Sequence, residues 1–235
     1  MTESHQPSAL VFGAGGALGS AIHATLTDQG FRLFTAGPAA DRDARCHLQM
    51  AYDSPVADGA FDTLPPLAAV VWAQGLNCSD AITDFSVEDL HRLWQGNVVF
   101  IATTLAGLLA SGRLVAGTRL AVVSSIWQLE SRPGKLSYTI SKAALQGLVK
   151  SCALDLGASG ILINAVLPGV VDTPMTRTHL SPEQIGAITR QTALQRLAEP
   201  ADIAAAVAFL VGSTNRCMTG QFLTVDGGFI GFKHA

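Results

Sequence analysis

The sequence predicts an α/β fold, a doubly wound parallel sheet with helices on both faces, and three observations carry that prediction. Short apolar runs alternate with helical segments along almost the whole chain, the order of a parallel sheet wound with crossover helices. Several runs, residues 67–73 (LAAVVWA) foremost, are apolar throughout rather than at every second position, as strands covered on both faces are. Glycine and proline punctuate the segment ends. The 235 residues suit one core in one domain, and 49% hydrophobic against 14% charged residues excludes disorder.

Residues 9–12 form a first strand ending in a glycine-rich turn, and residues 17–29 a helix closed by Gly30. Residues 31–36 make a second strand stopped by Gly37-Pro38. A third is expected near 46–50, with the turn-forming Asp53-Ser54-Pro55 behind it. The stretch up to Pro65-Pro66 is irregular, and residues 67–73 are the next buried strand. A long helix over about 86–110 starts from Ser86 as N-cap, with Glu88 and Asp89 favoured by the positive end of the helix dipole. Strand 119–123 ends in Ser124-Ser125, helix 137–156 stops at Gly157, and strand 161–167 ends at Pro168-Gly169. Residues 173–194 break the rhythm: polar, with Pro174 and Pro182, they read as a mobile excursion. A helix over 202–210 and a last strand over 221–225 complete the order.

Lys and Arg number 15 against 18 Asp and Glu, a net charge of -3, so there is no basic field for a nucleic-acid backbone. The polar first eight residues hold no signal-peptide core, and a cytoplasmic protein is expected. Cys46, Cys78, Cys152 and Cys217 are scattered without metal-ligand spacing and read as reduced thiols. Residues 93–112 carry no charge over a membrane-spanning length, yet Gln95, Asn97, Thr103 and Thr104 interrupt them, so no membrane partner is expected.

Two constellations carry chemistry. Gly13, Gly15, Gly16, Ala17, Leu18 and Gly19 lie between the first strand and helix, where backbone N–H groups and the helix N-terminus receive a pyrophosphate. Position 18 is Leu, so the spacing is not G-x-G-x-x-G, and a plain tight turn is the alternative for the loop alone. Tyr138 and Lys142 stand four apart on one helix face. A tyrosine titrating near 10 is a poor base at neutral pH, and a neighbouring cation lowers that value. Ser125 ends a buried strand, where α/β sheets place their crevices, and would hold a substrate oxygen, while Asn97 would organise water near Lys142. Taken singly, Ser125 also reads as a strand-end cap and Asn97 as a satisfied buried amide.

Together, residues 13–19, Asn97, Ser125, Tyr138, Lys142, the segment 164–175 (NAVLPGVVDTPM) and the ending 219–228 (TGQFLTVDGG) resemble the short-chain dehydrogenase/reductase family over nearly the whole chain. The resemblance implies a Rossmann-like fold and an NAD(P)-dependent oxidoreductase interconverting a ketone and a secondary alcohol. By it, Tyr138 is the general acid in reduction, Lys142 binds the nicotinamide ribose and lowers the tyrosine pKa, Ser125 polarises the carbonyl and Asn97 completes a tetrad. It also implies that Pro168, Gly169, Val171 and Thr173 hold the nicotinamide, that Gly37, Ala73 and Gly75 join the glycine loop along the dinucleotide, and that Asp53 contacts adenine. The chain departs from the family at Phe12 and Ala17, where Thr and Gly are usual, and at Trp72-Ala-Gln-Gly75, where Asn-Asn-Ala-Gly is usual. The segment between Gly30 and Val70 is also short, so its helices are expected to be reduced or absent.

No acidic residue ends the second strand to bind the adenine-ribose hydroxyls; Gly37-Pro38 stands there. The cofactor is therefore NADP or NAD, the missing carboxylate favouring NADP and Arg42 being the nearby cation. The substrate pocket is expected between Leu76, Trp127, Leu129, Met175 and residues 176–194, with 174–195 as a lid over a small-molecule carbonyl or alcohol. Oxoacyl, sugar or polyol, and small cyclic substrates are all open. A dinucleotide-binding regulator without turnover and a dehydratase or epimerase are the competing readings. The nearly uncharged faces of helices 86–110 and 137–156 predict a homotetramer built through them.

Overall fold

The computed structural model describes residues 6–38 and 47–231. Its strands are β1 (Ser8–Phe12), β2 (Arg32–Gly37), β3 (His47–Gln49), β4 (Leu67–Trp72), β5 (Leu114–Val123), β6 (Leu162–Pro168) and β7 (Phe222–Val225). They pair in parallel as one sheet in the order β3-β2-β1-β4-β5-β6-β7. The order reverses between β1 and β4, which opens a crevice above the C-terminal strand ends. The helices are α1 (Ala17–Asp28), α2 (Val87–Trp94), α3 (Phe100–Ala110), α4 (Leu136–Gly157), α5 (Pro174–His179), α6 (Pro182–Gln191) and α7 (Pro200–Val211).

Strand periodicity sorts the core into two layers. Ala9, Val11, Ala69, Val71, Ala121 and Val123 project onto α1 and α7, meeting Ile22, Leu26, Ile203 and Val207. Leu10, Phe12, Val70, Trp72, Leu120 and Val122 project the other way, onto α3 and α4 through Phe100, Leu105, Leu108, Leu145 and Val149. Both faces are buried, which is why the strands carry apolar residues at consecutive positions. Two departures from the family pattern prove to be one packing unit. Phe12 and Trp72 are register partners across β1 and β4, and their rings stack with centroids 5.6 Å apart. Phe61 and Phe100 close edge-on against Phe12, and Trp72 Nε1 donates to Thr104 Oγ1 at 2.9 Å.

The helix expected over 86–110 is continuous, but a π-helical turn, Gln95–Val99, separates α2 from α3. Val87–Ala110 is long and apolar enough to cross a membrane, and half of its most apolar window is buried inside the protein. Strand β5 begins at Leu114, earlier than expected, because its register slips between Leu67 and Ala69, where Thr118 Oγ1 bonds the Leu67 carbonyl at 2.6 Å. The excursion over 173–194 is helical: Pro174 and Pro182 start α5 and α6, with Thr173 and Ser181 as N-caps. A proline at the first helical position loses no needed N–H, so these prolines act as initiators rather than breakers. Between β3 and β4 the described residues form turns only, as the short segment implied. Arg42 and Cys46 lie outside the described residues.

Candidate active site

The ends of β1, β4, β5 and β6 open on a cleft of about 530 Å³. Gly13, Gly16, Ala17 and Leu18 line it on one side. Gly13 sits at φ 80°, and a Cβ there would come within 2.6 Å of the Gln74 nitrogen. Gly19 is a packing residue instead: a Cβ on it would overlap the Gly13 carbonyl, so the loop folds onto the first turn of α1. Gly15 is exposed. Gly16 is the N-cap of α1 and brings no side chain; its own N–H donates to the Gly13 carbonyl at 3.0 Å, and no acidic residue stands in the first turn, so the positive end of the helix dipole is open to an anion.

The opposite side is built on α4. Tyr138 lies in its first turn and Lys142 one turn on, with the lysine Nζ 5.7 Å from the tyrosine ring centroid. Ser125 follows the end of β5, accepts from Trp127 N at 3.3 Å, and places its hydroxyl against that of Tyr138. Lys142 is buried, with Nζ donating to the Val123 carbonyl at 3.2 Å. Burial pulls its pKa from 10.5 to about 8. Burial also raises the Tyr138 phenol, and the Ser125 hydrogen bond draws it part of the way back. The lowering expected from Lys142 is therefore not what sets the phenol in this structure: desolvation pushes both groups towards their neutral forms.

Asn97, in the π turn, does not hold its side chain open for water. Its Oδ1 accepts from Leu76 N at 2.7 Å, and its amide donates to Leu76 O and Ser141 Oγ, both at 3.0 Å. Ser141 Oγ donates in turn to the Tyr138 carbonyl at 2.8 Å. Both amide hydrogens are thus spent on tying the loop after β4 to the turn that carries Tyr138. A second clamp escaped the sequence reading. Buried Asp80 accepts from Ser137 N at 3.1 Å, from Ser137 Oγ, and from Cys78 Sγ at 3.5 Å. Burial pushes its carboxyl up, but the bonds from Ser137 outweigh that and leave it below the usual carboxylate range. Cys78, beside that carboxylate, is pushed up to about 11 by burial and by Asp80. Lys135 anchors the same loop through Asn77 Oδ1 at 2.9 Å and Cys78 O at 2.8 Å.

Ala73, Gly75, Val171 and Thr173 reach the cleft wall with Tyr138 and Lys142. Gly169 lies behind it, its N–H on Val225 O at 3.0 Å and its α-carbon close against Asp226, while Pro168 is the last residue of β6. On the β2 side Tyr52, rather than the exposed Asp53, lines the cleft. A Cβ on Gly37 would come 2.9 Å from the Tyr52 hydroxyl, so the phenol stands where a side chain from the end of β2 would project.

A second cavity of about 450 Å³ is walled by Trp127, Val170, Leu180, Ile188, Phe229 and Ile230, with Glu130 and Arg132 among its polar residues. The Trp127 and Phe229 rings meet edge to face at 6.3 Å, and the Arg132 guanidinium lies 5.8 Å from the Trp127 ring. Phe229 and Ile230 are held there by Asp226, whose carboxylate accepts from Gly228 N at 2.8 Å and Ile230 N at 2.9 Å. Of the expected substrate residues, Trp127 is in this cavity, Leu76 and Met175 line the first cleft, and Leu129 is exposed.

Comparison with known proteins agrees with this geometry. A family model described as enoyl-(acyl carrier protein) reductase matches residues 50–230. A cyclopentanol dehydrogenase of Comamonas is 34% identical over 176 residues, covering 73% of this chain and 70% of the relative. A 3-alpha-(or 20-beta)-hydroxysteroid dehydrogenase of Mycobacterium bovis is 32% identical over 85% of this chain and 76% of its own. The structure of a blue fluorescent protein from a metagenomic library, in complex with NADPH, superposes with a TM-score of 0.82 at 27% identity, over 95% of this chain and 97% of the other. The family binds NAD(P) and its members interconvert alcohols and ketones. This chain belongs to the short-chain dehydrogenase/reductase family and is an oxidoreductase of it.

Proposed function

We propose that this protein reduces a ketone to a secondary alcohol, and the reverse, on a small substrate with an apolar body, and that it uses Tyr138 as the general acid and base. The observation that carries this reading is the place of the Tyr138 and Ser125 hydroxyls. The Ser125 hydroxyl bonds that of Tyr138, and Tyr138 lines the same cleft as Gly13, Gly16 and Lys142, while Trp127, whose N–H bonds the Ser125 hydroxyl, walls the apolar cavity with Phe229. The uncapped N-terminus of α1, the unobstructed Gly16 and the buried Lys142 fit a nicotinamide dinucleotide. When bound, the nicotinamide supplies or accepts the hydride.

In the reducing direction Ser125 donates a hydrogen bond to the substrate oxygen, and Tyr138 gives its proton to that oxygen as negative charge develops. The protonated Lys142 one turn away then stabilises the phenolate. Asn97 and Asp80 act through position, holding the first turns of α4 against the loop after β4. Leu180 and Ile188, from the end of α5 and from α6, close the substrate cavity, which supports reading residues 174–195 as its lid.

The cavity walls favour an alicyclic or aryl ketone over a sugar, in keeping with the substrates named for the cyclopentanol and hydroxysteroid relatives. NADP is favoured over NAD because no carboxylate ends β2 and the superposed blue fluorescent protein holds NADPH. Exposed Trp94, Leu109, Ile140 and Leu154 on α2, α3 and α4 support a homotetramer, which light scattering of purified protein tests. Following cofactor absorbance with NADPH and NADH over a panel of cyclic, aryl and sugar ketones tests the function. Turnover is expected on the cyclic or aryl members; tight dinucleotide binding with no turnover on any member would make the protein a regulator instead.

A further inference from the structure

Gln74 lies two residues beyond β4, where the family carries alanine. Its side chain is 5% exposed and lines the cleft, yet neither its Nε2 nor its Oε1 has a hydrogen-bond partner among the described residues. A buried carboxamide with both ends unpaired costs free energy in the cofactor-free fold, and chains retain such a group where a ligand completes it.

We infer that the Gln74 carboxamide binds the adenosine half of the nicotinamide dinucleotide, donating through Nε2 and accepting through Oε1. This rests on the functional reading above and adds to it the group that reads that half. Three observations place the contact there rather than at the nicotinamide. The Gln74 backbone abuts Gly13 at the start of the phosphate loop, with its nitrogen 2.6 Å from where a Gly13 Cβ would stand. Strand alternation continued from Trp72 puts the Gln74 side chain on the face of Phe12, Phe100 and Tyr52. The next residue, Gly75, is the one beside Lys142, its Cβ position 3.5 Å from Nζ. At the end of β2, where an acidic side chain would otherwise bind the ribose, Gly37 is closed off by the Tyr52 ring, and a neutral amide that both donates and accepts can take over that recognition.

The test compares wild type with Gln74→Met, which keeps the volume, and Gln74→Ala, the family's own residue, by calorimetric titration with NADP, NAD, ADP-ribose and nicotinamide mononucleotide. Both variants are expected to bind the two dinucleotides and ADP-ribose about tenfold more weakly, about 1.4 kcal/mol, with mononucleotide binding unchanged. Gln74→Met is expected to melt about 2–4 °C higher without cofactor, since it removes a buried unpaired amide. Unchanged ADP-ribose affinity in both variants, or a fall in melting temperature of Gln74→Met with unchanged affinity, overturns the assignment and makes Gln74 a structural residue. Failure of wild type to bind any dinucleotide overturns the functional reading itself.

Discussion

At the Tyr138 end of the cleft the polar side chains that position α4 are satisfied from within the chain: Asp80 by Ser137 and Cys78, Asn97 by Leu76 and Ser141, Lys135 by Asn77 and the Cys78 carbonyl. At the Gly13 end the reverse holds. Gln74 is buried with no hydrogen-bond partner among the described residues, α1 begins without a side-chain cap, and the Tyr52 phenol fills the place of a β2 side chain. The contrast separates two tasks. Proton transfer needs a hydroxyl held to within tenths of an ångström before substrate arrives, so its supports are prepaid in the fold. On the assignment proposed above, dinucleotide binding would draw on groups that only the ligand completes.

The contrast is broken most severely by Tyr138→Phe. Loss of the hydroxyl is expected to lower kcat by roughly 10²–10⁴ while dinucleotide affinity stays within about twofold, as stopped-flow turnover and calorimetry would show. Near wild-type turnover would remove Tyr138 from the proton path. Lys142→Met separates function from stability. Its descent from 10.5 to about 8 means that the buried ammonium destabilises the cofactor-free fold by roughly 3 kcal/mol at neutral pH. Between about 8 and 10.5 the unfolded chain holds more protons than the folded one, so wild-type stability climbs with pH across that window. The variant is expected to be the more stable protein in urea at pH 7, to lose that advantage as pH rises, and to turn over poorly throughout. A pH-independent difference would show that the burial cost was misassigned.

Asp80→Ala tests the prearranged end. It strands the Ser137 N–H and hydroxyl in a buried site, and a loss of about 2 kcal/mol with a melting point lower by several degrees is expected. Unaltered stability would mean that the α4 clamp is carried by Asn97 alone. Trp127→Ala should have the smallest effect: KM for a cyclic ketone up about tenfold with kcat within about threefold, because the ring walls the proposed substrate cavity and takes no part in the proton transfer. A matching fall in kcat would place Trp127 in the orientation of the carbonyl instead.

The parallel sheet and the meeting of Tyr138 with Lys142 on one helix were legible because each rests on a local pattern. Consecutive apolar residues mark β4, and the four-residue spacing of Tyr138 and Lys142 survives any change around it. What was not legible depends on contacts between distant positions. Phe12 and Trp72 each read as a flaw in a family motif until β1 and β4 were paired and the two rings stacked. Asp80 has no neighbour in sequence that betrays it, since its partner Ser137 lies 57 residues on. Pro174 and Pro182 misled for another reason: the same residue ends a helix from inside and begins one at its first position, and only the Thr173 and Ser181 caps decide which. Gln74 carried a signal that went unweighed, a long polar side chain at the end of a buried strand.

The Asp226 turn gives the protein a way to diversify. One carboxylate fixes the backbone that presents Phe229 and Ile230, and the same residue buttresses Gly169 just beyond β6. The anchor keeps the path of the chain while leaving those two side chains free to be exchanged. On the function proposed above, exchanging residues 229 and 230 would reshape the substrate cavity without moving Ser125 or Tyr138, so a duplicated copy of this protein would have a short mutational route to a new substrate.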